Sequence, residues 1–237
     1  MVAVSAKTPP PRAVSSRGLL DPRASAAERD AALGDLLDET HDVLIDPASD
    51  RSQTSRAIEA LFVGLYRLKL NSPPDEWQSL VQQCRVHRVC ELIHEDPFTG
   101  RAFSKPRGYA GDAELLELIY GPEDGKPEPD VSNIGKHIYR FTSAAPAAEG
   151  VRARRAFIAD LLDRSTAESP GMHVLAIAAG HLREASLASC VRRKRIGRFV
   201  ALDADPLSLE EVNRCYGNYG VETVNASIRP LITNKLH

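Results

Sequence analysis

Two residues carry most of the chemistry legible in this chain. One is a glycine that closes a short apolar run, and the other is an aspartate near the end of the next run. Gly180 ends HVLAIAAG, and Asp203 falls in RFVALDAD, 23 residues further on. Glycine in the first strand-to-helix turn lets backbone approach a ligand closely, and an acid about 20 residues later, on the next strand, holds both hydroxyls of a ribose. The turn itself reads AAGHLREA, one glycine followed by His181 and Leu182. A dinucleotide asks for G-x-G-x-x-G, so that a pyrophosphate can reach the helix N-terminus, and this turn leaves little room for one. A ligand with a ribose and no phosphate fits better, S-adenosylmethionine being the common one. The same pair also suits a strand-ending glycine and a turn aspartate with no ligand at all.

The elements that must hold these residues follow from periodicity. After Pro170, HVLAIAAG reads as a strand buried on both faces, RFVALDAD as a second and VETVNA as a third. Between them lie a helix over 182–192 and a helix in LSLEEVNRCYG, opened by Asp205 as N-cap and Pro206 at the first helical position. Strand–helix–strand–helix–strand is the alternation of a doubly wound parallel sheet. Upstream, residues 1–25 are rich in Pro, Ala, Ser and Arg without periodicity and read as a disordered tail. Three amphipathic helices follow, in ASAAERDAALGDLLDETHDVLI with Ser25 as N-cap, in SRAIEALFVGLYRLKL and in PPDEWQSLVQQCRVHRVCELIHE. Short connections between them predict a helical bundle. DPFTGRAFSKPRGYAGDAELLELIYG reads as a structured loop and then, from Asp112, a short helix. GPEDGKPEPD reads as a linker, and a long helix runs from about 145 to 164. The expected fold is α/β: a helical N-terminal region over 26–125 carrying the signature loop, a linker and long helix over 126–171, and a partial Rossmann-like doubly wound parallel sheet over 172–237.

VLAIAAGHLREA resembles the first motif of class I S-adenosylmethionine-dependent methyltransferases, and ALDADPLSLEEV resembles their second-strand motif. HEDPFTGRAFSKPRGYAGDAELLELIYG, and its RGYAGD block above all, looks like the signature of a bacterial group that includes the 3-hydroxypalmitate methyl ester biosynthesis proteins. The resemblance covers Trp77 to Ile232 and implies a helical region preceding a methyltransferase fold. By that resemblance Asp203 matches the ribose acid, while Ala204, Asp205, Ala226 and Ser227 border the adenine. The PRGYAGD loop closes over the cofactor with Tyr109 and Asp112 as contacts, and Arg107 pairs with a carboxylate of cofactor or substrate. A tight turn with Gly108 and Gly111 at positive φ, and Asp112 capping the next helix, accounts for the same loop structurally. The chain departs from the family at Ala176, where an acid is usual, and at Ala178 and Leu182, where glycine is frequent. The cofactor's ammonium is then left to backbone carbonyls around Ala178 and Ala179.

The expected activity is methyl transfer from S-adenosylmethionine to a small molecule, at a carboxyl or hydroxyl oxygen. Alignment and exclusion of water supply most of the catalysis, because the sulfonium is already activated. His94 and Glu95 are conceivable bases, His94 also a substrate contact, though an exposed helix end accounts for both better. Only the first three strands of a methyltransferase sheet are legible, so HVLAI presents an open edge. A piece of a longer enzyme, completion of the sheet by another chain (a homo-oligomer, for instance) and a degenerate fold all account for that. The alternative function is a truncated, non-catalytic relative that serves as an association module.

Other chemistry is excluded on physical grounds. Cys84, His87, Cys90 and His94 have the residue types of a zinc site. On one continuous helix they stretch over about 15 Å, whereas zinc ligands stand about 2.3 Å or less from the ion. VRRKRIGR answers a helix C-terminal dipole and interleaves no aromatic platform for nucleic acid. Lys and Arg at 30 against Asp and Glu at 32 leave a net charge of −2, too little to hold nucleic acid or an anionic membrane. No apolar run approaches the roughly 20 residues of a bilayer span. Pro9, Pro10 and Pro11 break the amphipathic helix of a transit segment, and four sparse cysteines predict reduced thiols in a cytoplasm.

Overall fold

The computed structural model describes residues 21–121 and 123–233, so the expected tail lies almost wholly outside the described residues. In chain order the helices before the sheet are α1 (Ala26–Ile45), α2 (Arg51–Asn71), α3 (Pro74–Val86), α4 (Val89–Ile93), α5 (Pro97–Ser104), α6 (Ala113–Tyr120), α7 (Asn133–Ser143) and α8 (Pro146–Glu168). Then come β1 (His173–Ile177), α9 (Glu184–Leu187), α10 (Ser189–Arg192), β2 (Arg198–Asp203), α11 (Pro206–Tyr216), β3 (Val221–Asn225) and α12 (Arg229–Ile232). They form two compact units, one of residues up to Pro97 with Asp130–Phe141, the other of Phe98–Pro129 with residues from Thr142 on. From Phe98 on, the signature stretch thus clusters with the sheet rather than with the helices that precede it in sequence.

In the helical unit, Ser25 caps α1 through a reciprocal box. Its hydroxyl accepts from Glu28 N–H and its own N–H donates to the Glu28 carboxylate at 2.8 Å. Leu33, Leu37, Ile58, Leu68 and Leu80 are fully buried between α1, α2 and α3, and Ile138 of α7 joins them. The third expected helix is two. The chain turns extended at His87 (ψ 140°), whose ring Nδ1 accepts from Val89 N–H at 3.2 Å, and α4 restarts there. The expected linker gives way to α7, whose Ile134, Ile138 and Phe141 recur on one helical face and enter this core.

In the other unit the three strands are parallel in the order β1–β2–β3, with Ala176 opposite Ala201 and Ala201 opposite Thr223. Val174 and Ala176 pack toward a core built from α8, α9, α10, α11 and β2. The expectation that β1 is buried on both faces is corrected. It is an edge strand, and Leu175 and Ile177, pointing the other way, stay 49% and 46% exposed. The helix expected over 182–192 is also two short ones, broken at Ala188 (ψ 119°). The reason is Asp163 of α8, whose carboxylate accepts from Ser189 N–H at 3.0 Å and Cys190 N–H at 2.7 Å, amides that a continuous helix would use internally. Residues 97–104, expected as loop, form α5 because Phe98 and Ala102 pack with Leu115, Ile119, Tyr120 and Ala148 of α6 and α8. No helix among the described residues is long and apolar enough to cross a membrane.

Gly197 leads into β2 where the chain passes the turn before β1. A Cβ there would stand 2.2 Å from the Gly171 carbonyl oxygen, which is backbone and cannot step aside. Gly197→Ala is expected to cost about 1–3 kcal/mol, read as a fall in the urea midpoint of the sheet unit.

Candidate functional site

The turn after β1 has an unusual backbone. Ala178, Gly180 and Leu182 stand at φ of 53°, 53° and 51°. Alternate residues are therefore left-handed, the conformation glycine favours, although two of the three carry side chains. For an L-residue that conformation costs about 1–2 kcal/mol. Leu182 offsets the cost by burial at 1% exposure in the core, since burying such a side chain contributes about 1.5–3 kcal/mol. Ala178 is exposed and has no such compensation. The turn is tied down from within and from β2, with Leu182 N–H donating to the Ala179 carbonyl at 2.9 Å and Ala179 N–H to the Leu202 carbonyl at 3.1 Å.

Asp203 sits at the tip of β2 facing this turn. It is 8% exposed, and its carboxylate accepts from Gly180 N–H and from Asp205 N–H, each at 2.8 Å. Its carbonyl accepts from Ala226 N–H at 3.0 Å and from the Asn225 side chain at 3.1 Å. One residue thus joins the tips of all three strands. An open cavity of about 860 Å³ lies over these tips. The expected residues Gly180, Asp203, Ala204, Ala226 and Ser227 line it, together with Ala178. Tyr109 reaches it from the signature loop, half-exposed, with its phenol raised by burial and by the carboxylates of Asp203, Asp205 and Asp112.

Four expected residues stand elsewhere or do something else. Ala179 lines an adjoining cavity of about 380 Å³ beside α8, and its carbonyl already accepts from Leu182. Asp112 lines neither cavity; it caps α6, one carboxylate oxygen accepting from Leu115 N–H at 2.9 Å and from Arg101 Nε at 2.7 Å. Arg107 was expected on a ligand carboxylate but is held by the protein's own acids. It donates to Asp205, to Ser208 Oγ at 3.0 Å and to Glu114 at 3.2 Å, latching the signature loop to the start of α11. His94 belongs to the helical unit, where it ends α4 with its Nδ1 3.6 Å from Cys90 Sγ. Because the helix breaks at His87, Cys84, His87, Cys90 and His94 do not lie on the single rod assumed above. No group of three or more His, Cys, Asp or Glu that could hold a metal ion occurs among the described residues.

A second set of residues carried no signal in the sequence. Glu117 of α6 accepts from His181 Nδ1 at 2.9 Å, from Arg183 Nε and from Lys126 Nζ at 2.7 Å. Arg183 also donates to Glu211 of α11 at 2.7 Å. Burial alone would raise the Glu117 carboxyl, but these three donors outweigh it and hold the group well below its ordinary value. Glu211, bonded first by Arg214 and then by Arg183, is lowered to about 2. The closest hint in the sequence is His181 beside the glycine, while its partner lies 64 residues away on another element.

No family model, curated protein or solved structure matches this chain. The fold and site define a mixed α/β protein with a small three-stranded parallel sheet and a cavity at the carboxyl ends of its strands.

Two outcomes follow for the turn and its network. Ala178→Gly is expected to hold stability or raise it by up to about 1 kcal/mol, whereas the same exchange at an ordinary φ costs about 0.5–1 kcal/mol; thermal melts compare them. Carboxyls lowered in the folded state contribute stability above their ordinary value and lose it as they protonate. The sheet unit is therefore expected to lose stability as pH falls from 4.5 towards about 2. Glu117→Gln should flatten that slope in urea titrations across the same window.

Proposed function

We propose that the sheet unit binds S-adenosylmethionine across the carboxyl ends of β1 and β2 and transfers its methyl group to a small molecule. The observation that carries this reading is the left-handed alternation at Ala178, Gly180 and Leu182 with the Asp203 carboxylate set against it. Methyltransferases of the resembling class often carry glycine at the positions of Ala178 and Leu182, and both residues here hold the left-handed backbone that glycine favours. The parallel order β1–β2–β3 is also what one half of a Rossmann-like, doubly wound sheet presents.

The residues present suit the cofactor. Each Asp203 oxygen accepts one backbone N–H and keeps further lone-pair capacity for a ribose hydroxyl. The cavity's size is that of ordinary small-molecule sites, about 300–1,000 Å³. When bound, S-adenosylmethionine supplies an electrophilic methyl on a positively charged sulfur. Asp203 would hold the sugar, Ala204, Ala226 and Ser227 would border the base, and Tyr109 would meet the cofactor from the loop. Arg107 holds that loop down through Asp205 and Ser208, which fixes one wall of the cleft while the acceptor is aligned. With Ala176 in place of an acid, backbone carbonyls near Ala178 would be left to hold the ammonium.

The open edge of β1 favours a second reading, a non-catalytic relative that uses its exposed Leu175 and Ile177 for association. Calorimetry with S-adenosylmethionine separates the two. Methyl transfer expects heat of binding, lost in Asp203→Ala with the far-ultraviolet circular dichroism unchanged. Asp203→Asn, which keeps one carbonyl acceptor for the backbone amides, controls for folding. Retained binding in Asp203→Ala removes the site assignment, and no heat together with mixed oligomers on a sizing column favours association.

A further inference from the structure

We propose that His181 is the proton acceptor of this site, through the lone pair on Nε2, and that the group it serves is a hydroxyl rather than a carboxylate. The inference rests on the methyl-transfer reading and chooses between the two oxygens that reading leaves open. His181 follows Gly180 directly, and its side chain is only 4% exposed. Its Nδ1 stands 2.9 Å from Glu117 Oε1. Glu117 also accepts from Arg183 and Lys126, so it is an ionised carboxylate with no proton to give. The proton of that bond therefore belongs to Nδ1, which leaves Nε2 an acceptor in the neutral ring.

Nε2 is buried and has no hydrogen-bond partner. The carboxylate facing it is Glu114 Oε1 at 3.7 Å, outside hydrogen-bond distance. Glu114 is 44% exposed, and the same Oε1 accepts from Arg107 at 3.2 Å, so its donor is already supplied. Nε2 is thus left without a donor, and a ligand that supplies one satisfies it. A hydroxyl supplies one. A carboxylate would meet a lone pair and a second negative charge, and is repelled. Beside the ring lies an open cavity of about 560 Å³ that His181, Glu114 and Glu117 line, and Leu207 walls both it and the larger cavity over the strand tips. The charged groups around the ring are Glu114 and Glu117 on α6, Arg107 paired with Glu114, Lys126, Arg183 on its own turn, and Glu211 of α11 through Arg183, with Glu210 and Arg214 also lining the cavity.

In the reaction, His181 Nε2 takes the hydroxyl proton as the O–H bond breaks. The oxygen's electron pair closes on the methyl carbon, and the carbon–sulfur pair returns to sulfur, which becomes a neutral thioether. The imidazolium then releases its proton to water. Glu117 acts as a positioning residue, since it fixes the tautomer that makes Nε2 basic.

The test is nuclear magnetic resonance on the full chain labelled with ¹⁵N-histidine, the His181 signals being those absent from His181→Gln. The expected pattern is protonated Nδ1 and bare Nε2, with Nε2 moving on addition of phenol and not of anisole or acetate. Glu117→Gln should redistribute the tautomer without loss of helical content, an effect that a merely structural role would not produce. Should His181→Gln fail to fold, signals lost in His181→Asn make the assignment. A proton on Nε2, or a larger response to acetate than to phenol, overturns the proposal. If S-adenosylmethionine gives no heat of binding while phenol still moves Nε2, the hydroxyl site stands and the methyl-transfer reading falls.

Discussion

The tips of all three strands are tied together at one buried residue, Asp203. Asp203 holds the turn after β1 through Gly180, the start of the next turn through Asp205, and β3 through Ala226 and Asn225. Charge-assisted bonds to backbone amides are roughly twice as strong as neutral ones. Asp203 is therefore structural mortar and functional candidate at once, and those roles do not compete, because a carboxylate has more acceptor capacity than two amides use. Around it the polar side chains are consumed in pairs, Arg107 with Asp205 and Arg183 with Glu117 and Glu211.

These pairings set limits on what the site can do. Arg107 has three protein partners, so a ligand carboxylate would have to displace them, whereas a ligand that leaves the latch intact keeps the loop in place. The network around Glu117 likewise fixes α6 against the turn after β1. In neither case is the value of the pair simple Coulomb attraction, since desolvation opposes it. The gain is geometric, in the placing of a loop and a ring.

The sequence showed what is local. Gly180, Asp203, the cap at Asp205–Pro206 and the strand–helix alternation are readable because each needs only its neighbours. The left-handed state of Ala178 and Leu182 was hidden, because alanine and leucine carry no signal for it; only the tertiary burial of Leu182 makes it tolerable. Partnership between His181 and Glu117 spans elements distant in sequence and leaves no periodic trace. The helix over 133–143 was masked by the Pro- and Gly-rich stretch before it, although Ile134, Ile138 and Phe141 had helical spacing. The break at Ala188 depends on Asp163, a residue of α8, and no reading confined to 182–192 would have found it.

Leu182 has one more consequence. Its side chain is locked among interior neighbours, so the bend that it terminates is cast by the core and not by anything that later occupies the cleft. A ligand arriving there meets a mould already set and is spared the entropy of ordering it.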